Sequence, residues 1–206
     1  MVEVLVPAGR VVRWCENFAR RHEGATYDVL GGALRARGTD GAVGVLRLPF
    51  DRAYDGPPEP VGLAAASEPP ASWGILLVRK GGFAVGRLSG PDLVEHKIGQ
   101  RHVQGRTKAG GQSQQRFARR RDNQARAAYE AAADHAARIL TGPLEALVTG
   151  GDRAAVDAVL SDPRLTRADG VRVGLWLPVP DPKRGVFDAA VRDALSVVVT
   201  VEEPSS

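Results

Sequence analysis

The stretch that most constrains the fold is Trp73–Leu88, "WGILLVRKGGFAVGRL", two apolar runs that meet at Lys80-Gly81-Gly82. The first run is apolar at consecutive positions, which predicts a strand in the middle of a sheet. The glycine pair predicts a tight turn, and the second run a strand that returns beside the first. A third strand is expected over Asp92–Val103, where Val94, His96 and Ile98 alternate with Leu93, Glu95 and Lys97 and leave one face wet.

Beyond that meander the apolar period changes from two to 3.6. Phe117, Ala125, Ala128, Ala132, Ala136 and Ile139 fall on one stripe of a helix that Ser113 can cap and Thr141-Gly142-Pro143 stops. "LEALVTGGD" predicts a buried strand, with Asp152 as N-cap of a helix over Arg153–Leu160. "VRVGLWLPV" and "LSVVVTV" predict two more strands, separated by a short helix around Phe187–Ala194. The pattern is α/β: a mixed sheet with helices packed on it. Ahead of it, Val11, Trp14, Cys15, Phe18 and His22 are spaced for an amphipathic helix, and Gly41–Phe50 reads as a strand. The proline-rich "DGPPEPVGLAAASEPP" reads as a linker. Residues 1–66 are therefore expected to form a small α+β region and linker, and residues 67–206 the main domain.

With 43% hydrophobic and 25% charged residues the chain can bury a core. Its lone cysteine, Cys15, excludes a disulfide framework and a cysteine-rich zinc site, and its apolar neighbours make it a small core residue. The start lacks a basic region followed by a long apolar one, and "WGILLV" is too short to span a bilayer. A soluble cytoplasmic protein without membrane attachment is expected, acting as a monomer. No cofactor or metal is expected either, since no carboxylate or cysteine stands at ligand spacing from His96 or His102. Both histidines fit phosphate contact better, whereas His22 and His135 are expected to pack or face water.

Charge is distributed unevenly. Between His96 and Arg126 stand Lys97, Arg101, Arg106, Lys108, Arg116, Arg119, Arg120, Arg121 and Arg126 against Asp122 alone, a net +8 in a chain whose total is +4. The remainder thus carries −4. The arginines crowd the N-terminal turns of the predicted helix, where the backbone dipole already disfavours cations. An external anion reverses that cost, because phosphates bind where helix N–H groups and arginines converge. Arg116, Arg119, Arg120 and Arg126 lie on the face opposite the alanine stripe, and a polyanion, above all nucleic acid, is the partner this charge fits.

Directly before those arginines stands "TKAGGQSQQRFARRR". A lone Gly-Gly-Gln is weak evidence, but this run followed by a long alanine-rich helix resembles the middle domain of archaeal and eukaryotic class-one translation release factors. The resemblance spans roughly Trp73–Val201. A chain with this domain and an N-terminal appendage is similar to the actinobacterial release-factor-like peptidyl-tRNA hydrolases, the VLRF family. That resemblance implies an RNase H-like fold of the release-factor middle-domain type. It also implies hydrolysis of the ester between nascent peptide and tRNA, with the large-subunit peptidyl transferase centre and P-site peptidyl-tRNA as partners.

The chemistry suits the residues. Gly110 and Gly111 make a probe thin enough to enter a pocket walled by RNA. Gln112 can order water and supply a donor to the developing oxyanion, since its amide donates, accepts and stays neutral. Gly111-Gln112-Ser113-Gln114 also satisfies the Gly-x-x-Gln pattern of the eukaryotic quality-control relatives, so Gln114 is the alternative catalytic glutamine. Arg106, Lys108, Arg116, Arg119, Arg120 and Arg126 are expected to bind RNA phosphates, making binding steeply salt-dependent. The first 66 residues carry none of the codon-reading motifs of class-one factors, so rescue of stalled or obstructed ribosomes is expected rather than stop-codon reading. Two rivals remain: a non-catalytic ribosome- or rRNA-binding module, and a nuclease. The nuclease needs clustered carboxylates for Mg²⁺, and the predicted strands lack them.

Overall fold

A computed structural model describes residues 2–100 and 128–203. The chain divides into two units, Met1–Pro69 with Val191–Ser206, and Pro70–Ala190.

The first unit is built on a five-stranded antiparallel sheet. Strand β1 (Val2–Pro7), the hairpin β2 (Ala25–Leu30) and β3 (Ala33–Gly38), β4 (Val43–Arg47) and the C-terminal strand β10 (Ser196–Glu202) stand in the order β1-β10-β4-β3-β2. Helix α1 (Val11–Arg21) buries Val11, Cys15 and Phe18 on the spacing its sequence predicts. These join Leu34, Leu46, Val197 and Val199 in one core. The prolines ahead of Ser67 do not make a plain linker. Pro60 opens a second helix, α2 (Pro60–Ala66), at a position where its missing N–H costs nothing, and Leu63 is buried there.

Placement of β10 corrects the expected organisation. "LSVVVTV" does form a strand, but it pairs with β1 and β4 in the N-terminal sheet rather than joining the mixed one. Its backbone fills the place between those two strands while Val197 and Val199 enter the first core, so the C-terminal strand of the region expected at 67–206 belongs to the first unit.

The second unit carries the mixed sheet. Strands β5 (Trp73–Arg79), β6 (Gly82–Ser89), β7 (Asp92–Gln100), β8 (Ala146–Gly151) and β9 (Arg172–Leu177) stand in the order β7-β6-β5-β8-β9. β6 is antiparallel to both neighbours, while β5, β8 and β9 pair in parallel. Only the second strand therefore opposes the rest, which is an RNase H-like topology. Helix α3, described over 128–139, and α4 (Arg153–Leu160) cover one face. Ala132, Ala136 and Ile139 from α3 pack there with Leu76, Val78, Val85, Leu147, Val156 and Val159. Asp152 accepts from the amides of Ala154 (3.1 Å) and Ala155 (3.4 Å), the expected N-cap of α4, a kind of contact that contributes about 1 kcal/mol. A short helix, α5 (Thr166–Asp169), precedes β9. Helix α6 (Arg184–Ala194) lays the fully buried Phe187 against Gly86 and Ile75, on the face opposite Val85.

Candidate functional site

The sheet topology brings five chain passages to one rim of the second unit. β5 and β8 end there side by side, with Val78 opposite Gly151. β9 ends beside them at Leu177, opposite Gly150. β6 begins there, with Gly82 opposite both Arg79 and Gln100, so β7 ends at the same level. Crevices at the carboxyl ends of parallel strands are where open α/β sheets hold their ligands. Here that end is also where residues 101–127 leave the sheet and where α3 takes the chain back.

The root of that segment is held from both sides. On β7, Gly99 lies under the Phe83 ring closely enough that an added Cβ would overlap it. The other side of the same ring faces His135 of α3, at 5.6 Å between centroids and 27° between planes. Glu95 of β7 is ion-paired with Arg138 of α3. At the far end of α3, Arg87 of β6 donates to the carbonyls of Thr141 and Pro143 and to the Ser72 hydroxyl. Those carbonyls belong to the turn that Gly142 makes at φ +79°, so the guanidinium binds the residues that end the helix. The strand that leads into 101–127 and the helix that leads out are thus fastened to each other and to β6.

Between them lies a cavity of about 100 Å³ with mainly apolar walls from Val78, Gly82, Phe83, Gly99, Ala128 and Tyr129. Ligand pockets usually enclose roughly 300–1,000 Å³, so this one is too small for a nucleotide or a peptide. Tyr129 stands at its edge, its phenol raised above the ordinary value first by burial and then by the neighbouring Asp152 carboxylate. Arg79 crosses the rim, donating to the Val179 carbonyl at 3.2 Å and lying 3.9 Å from Asp181. On the adjoining strand end, the Arg153 guanidinium lies 4.3 Å above the centre of the Trp176 ring.

All of the residues expected to act or to bind RNA, namely Gly110, Gly111, Gln112, Gln114, Arg106, Lys108, Arg116, Arg119, Arg120 and Arg126, lie outside the described residues. Among the described residues no group of three or more His, Cys, Asp or Glu side chains could hold a metal ion, and no helix is long and apolar enough to cross a membrane. Of the histidines within them, His22 is buried with Nδ1 2.8 Å from Asp40 and His135 packs on Phe83. His96 stacks on Phe187 with Nε2 3.1 Å from Arg184. The contacts at the root, Phe83 with Gly99 and His135 and Arg87 with Thr141 and Pro143, are not visible in the sequence. They join positions up to 56 residues apart and follow only from the strand order.

No curated protein matches the chain. Among solved structures it is similar to the Vms1 mitochondrial localization core, at 13% identity and a TM-score of 0.41 over 90% of this chain and 81% of that one. It is also similar to an archaeal translation termination factor, aRF1, at 13% identity and a TM-score of 0.37, covering 93% of this chain and 63% of that one. A third likeness is to Pelota of Archaeoglobus fulgidus, at 9% identity and a TM-score of 0.29 over 94% and 63%. The chain thus spans under two thirds of the latter two. Residues 71–200, well over half of the chain, match the family described as Actinobacteria/chloroflexi VLRF1 release factor. On that match the chain belongs to the VLRF1 release factor family of Actinobacteria and Chloroflexi.

Proposed function

We propose that this release-factor-family protein is a peptidyl-tRNA hydrolase that frees nascent chains from stalled or obstructed ribosomes, with Gln112 at the reacting centre. The observation that carries the reading is the run Thr107–Arg121, "TKAGGQSQQRFARRR", inside the stretch that matches the family. The fastening of β7 to α3 through Phe83, His135, Glu95 and Arg138 supports it, because a probe that must reach a distant ester needs a rigid base. Gly110 and Gly111 keep the probe slim in the RNA-walled peptidyl transferase centre. The Gln112 amide holds water in line with the ester carbonyl, and a donor at the same residue meets the developing oxyanion. The water oxygen bonds to the carbonyl carbon and the carbon–oxygen bond to the terminal ribose breaks. One proton goes to that ribose oxygen, and the peptide leaves as a carboxylate with release of the other. Arg106, Lys108, Arg116, Arg119, Arg120 and Arg126 contact RNA phosphates.

Single-turnover release from purified ribosome–nascent chain complexes tests this. Gln112→Ala is expected to keep ribosome affinity and to release peptide at least about a hundredfold more slowly, the scale of losing an oxyanion donor. If Gln114→Ala is the inactive variant, the catalytic glutamine is Gln114 and the hydrolase reading stands. If neither change slows release, the protein is a ribosome-binding module and the hydrolase reading fails.

A further inference from the structure

Many exposed cations of the second unit are matched by carboxylates. Arg138 meets Glu95, Arg164 meets Asp134 and Asp162, Arg172 meets Asp157 and Asp169, and Arg184 meets Asp188. Lys97 on β7 and Arg167 on α5 stand singly without such a partner among the described residues, whereas at the carboxyl-end rim several unmatched cations stand close together. Among the described residues, Lys80, Arg153 and Lys183 have no carboxylate within ion-pair distance, and Arg79 has only Asp181 at 3.9 Å. Asp152, the other acid there, caps α4 by accepting from its first amides through one carboxylate oxygen and is in no ion pair among the described residues.

The rim cations are also placed rather than scattered. Arg79 and Lys80 occupy the β5–β6 turn, with Asp181 packed on Gly81 between them and Lys183 two residues further on. Arg153 is held on the Trp176 face, an arrangement that orients a guanidinium without neutralising it. Residues 101–127, with eight Arg and Lys against one Asp, enter and leave the fold at this same rim. Crowding uncompensated positive charge beside that segment raises repulsion unless a polyanion lies across both.

We propose that Arg79, Lys80, Arg153 and Lys183 form an RNA-phosphate contact surface on the sheet rim. This rests on the reading that the partner is ribosomal RNA or tRNA. It extends the proposed RNA footprint from the basic sequence to the body of the domain.

The test is the salt dependence of binding to purified large ribosomal subunits, with and without peptidyl-tRNA, for wild type and for Lys80→Gln/Lys183→Gln. Each lost phosphate contact lowers the slope of log affinity against log salt by about 0.7–0.9, so the double variant is expected to lose about 1.5 units of slope. Arg153→Gln is expected to lose about one. Arg167→Gln, an exposed cation on α5 at the opposite end of the strands, removes the same charge and is expected to leave the slope unchanged. A loss seen with bare subunits assigns the contact to rRNA, and a loss seen only with peptidyl-tRNA assigns it to tRNA. An unchanged slope in the double variant overturns the proposal. So does a drop in affinity at constant slope, which would mark a contact that is not made to phosphates, or an equal loss in Arg167→Gln. Melting curves that match wild type show that the variants are folded. If wild type binds with the expected slope but releases no peptide, the hydrolase reading fails while the RNA surface stands.

Discussion

Cys15 illustrates how much a single position takes from its surroundings. Its thiol is buried among Val11, Phe18 and Leu34, and burial pushes its pKa up to about 11, against a smaller lowering by the Tyr27 hydroxyl. Only the thiolate attacks disulfides and alkylating agents. At pH 8 the native protein is therefore expected to react with a thiol reagent at least about a hundredfold more slowly than the urea-unfolded chain, and equal rates would contradict the burial. Asp162 is shifted the other way, down to about 2, by the Arg164 side chain first and the Arg164 amide second. A carboxylate with a depressed folded pKa adds stability above its ordinary value near 3.8 and loses it as the pH falls towards 2. The melting-temperature gap between wild type and Asp162→Asn is expected to be widest at pH 6 and to close across that window. A gap that persists at pH 2 would locate the effect elsewhere than in the charge.

Among the elements, β7 and α3 bear most on the proposed function because residues 101–127 connect them. Gly99→Val puts a branched side chain into the Phe83 ring, and overpacking of this kind costs about 1–3 kcal/mol. Phe83→Leu should relieve part of it, so urea midpoints of the two single variants and the double are expected to be non-additive. Strict additivity would mean that the ring and the glycine do not press on each other. Local pattern made several elements legible. The continuous apolar run of β5, the Gly81-Gly82 turn, the alanine stripe of α3 and the Asp152 cap lie where their sequences place them. Others left little trace. β3 puts Arg35 and Arg37 beside Asp28 on the side of the sheet away from the buried Leu34 and Ala36, so its apolar signal is short and broken. α2 hid behind prolines that happen to suit its first turn. For the site, the residues proposed to act are readable as a motif, while the contacts at Phe83, Arg87 and His135 depend on register, which no single stretch encodes.

At the scale of the whole molecule, β10 is the piece whose partners lie farthest away in sequence. Its strand character is plain in "LSVVVTV", but a strand's pattern gives its two faces and not its neighbours. Here the neighbours are Val2–Pro7 and Val43–Arg47, well over a hundred residues upstream. Ending the chain at Leu195 would remove Val197 and Val199 from the first core and both ladders from β10's place. Hydrogen exchange is then expected to accelerate in β3 and β4, and unchanged protection there would show that the sheet does not need its inserted strand. During synthesis, that dependence sets an order of events. The amino-terminal strands emerge first, yet they wait with an open slot between β1 and β4 until Ser196–Glu202 have cleared the exit tunnel, so the basic-segment domain can close before the unit that begins the chain is able to.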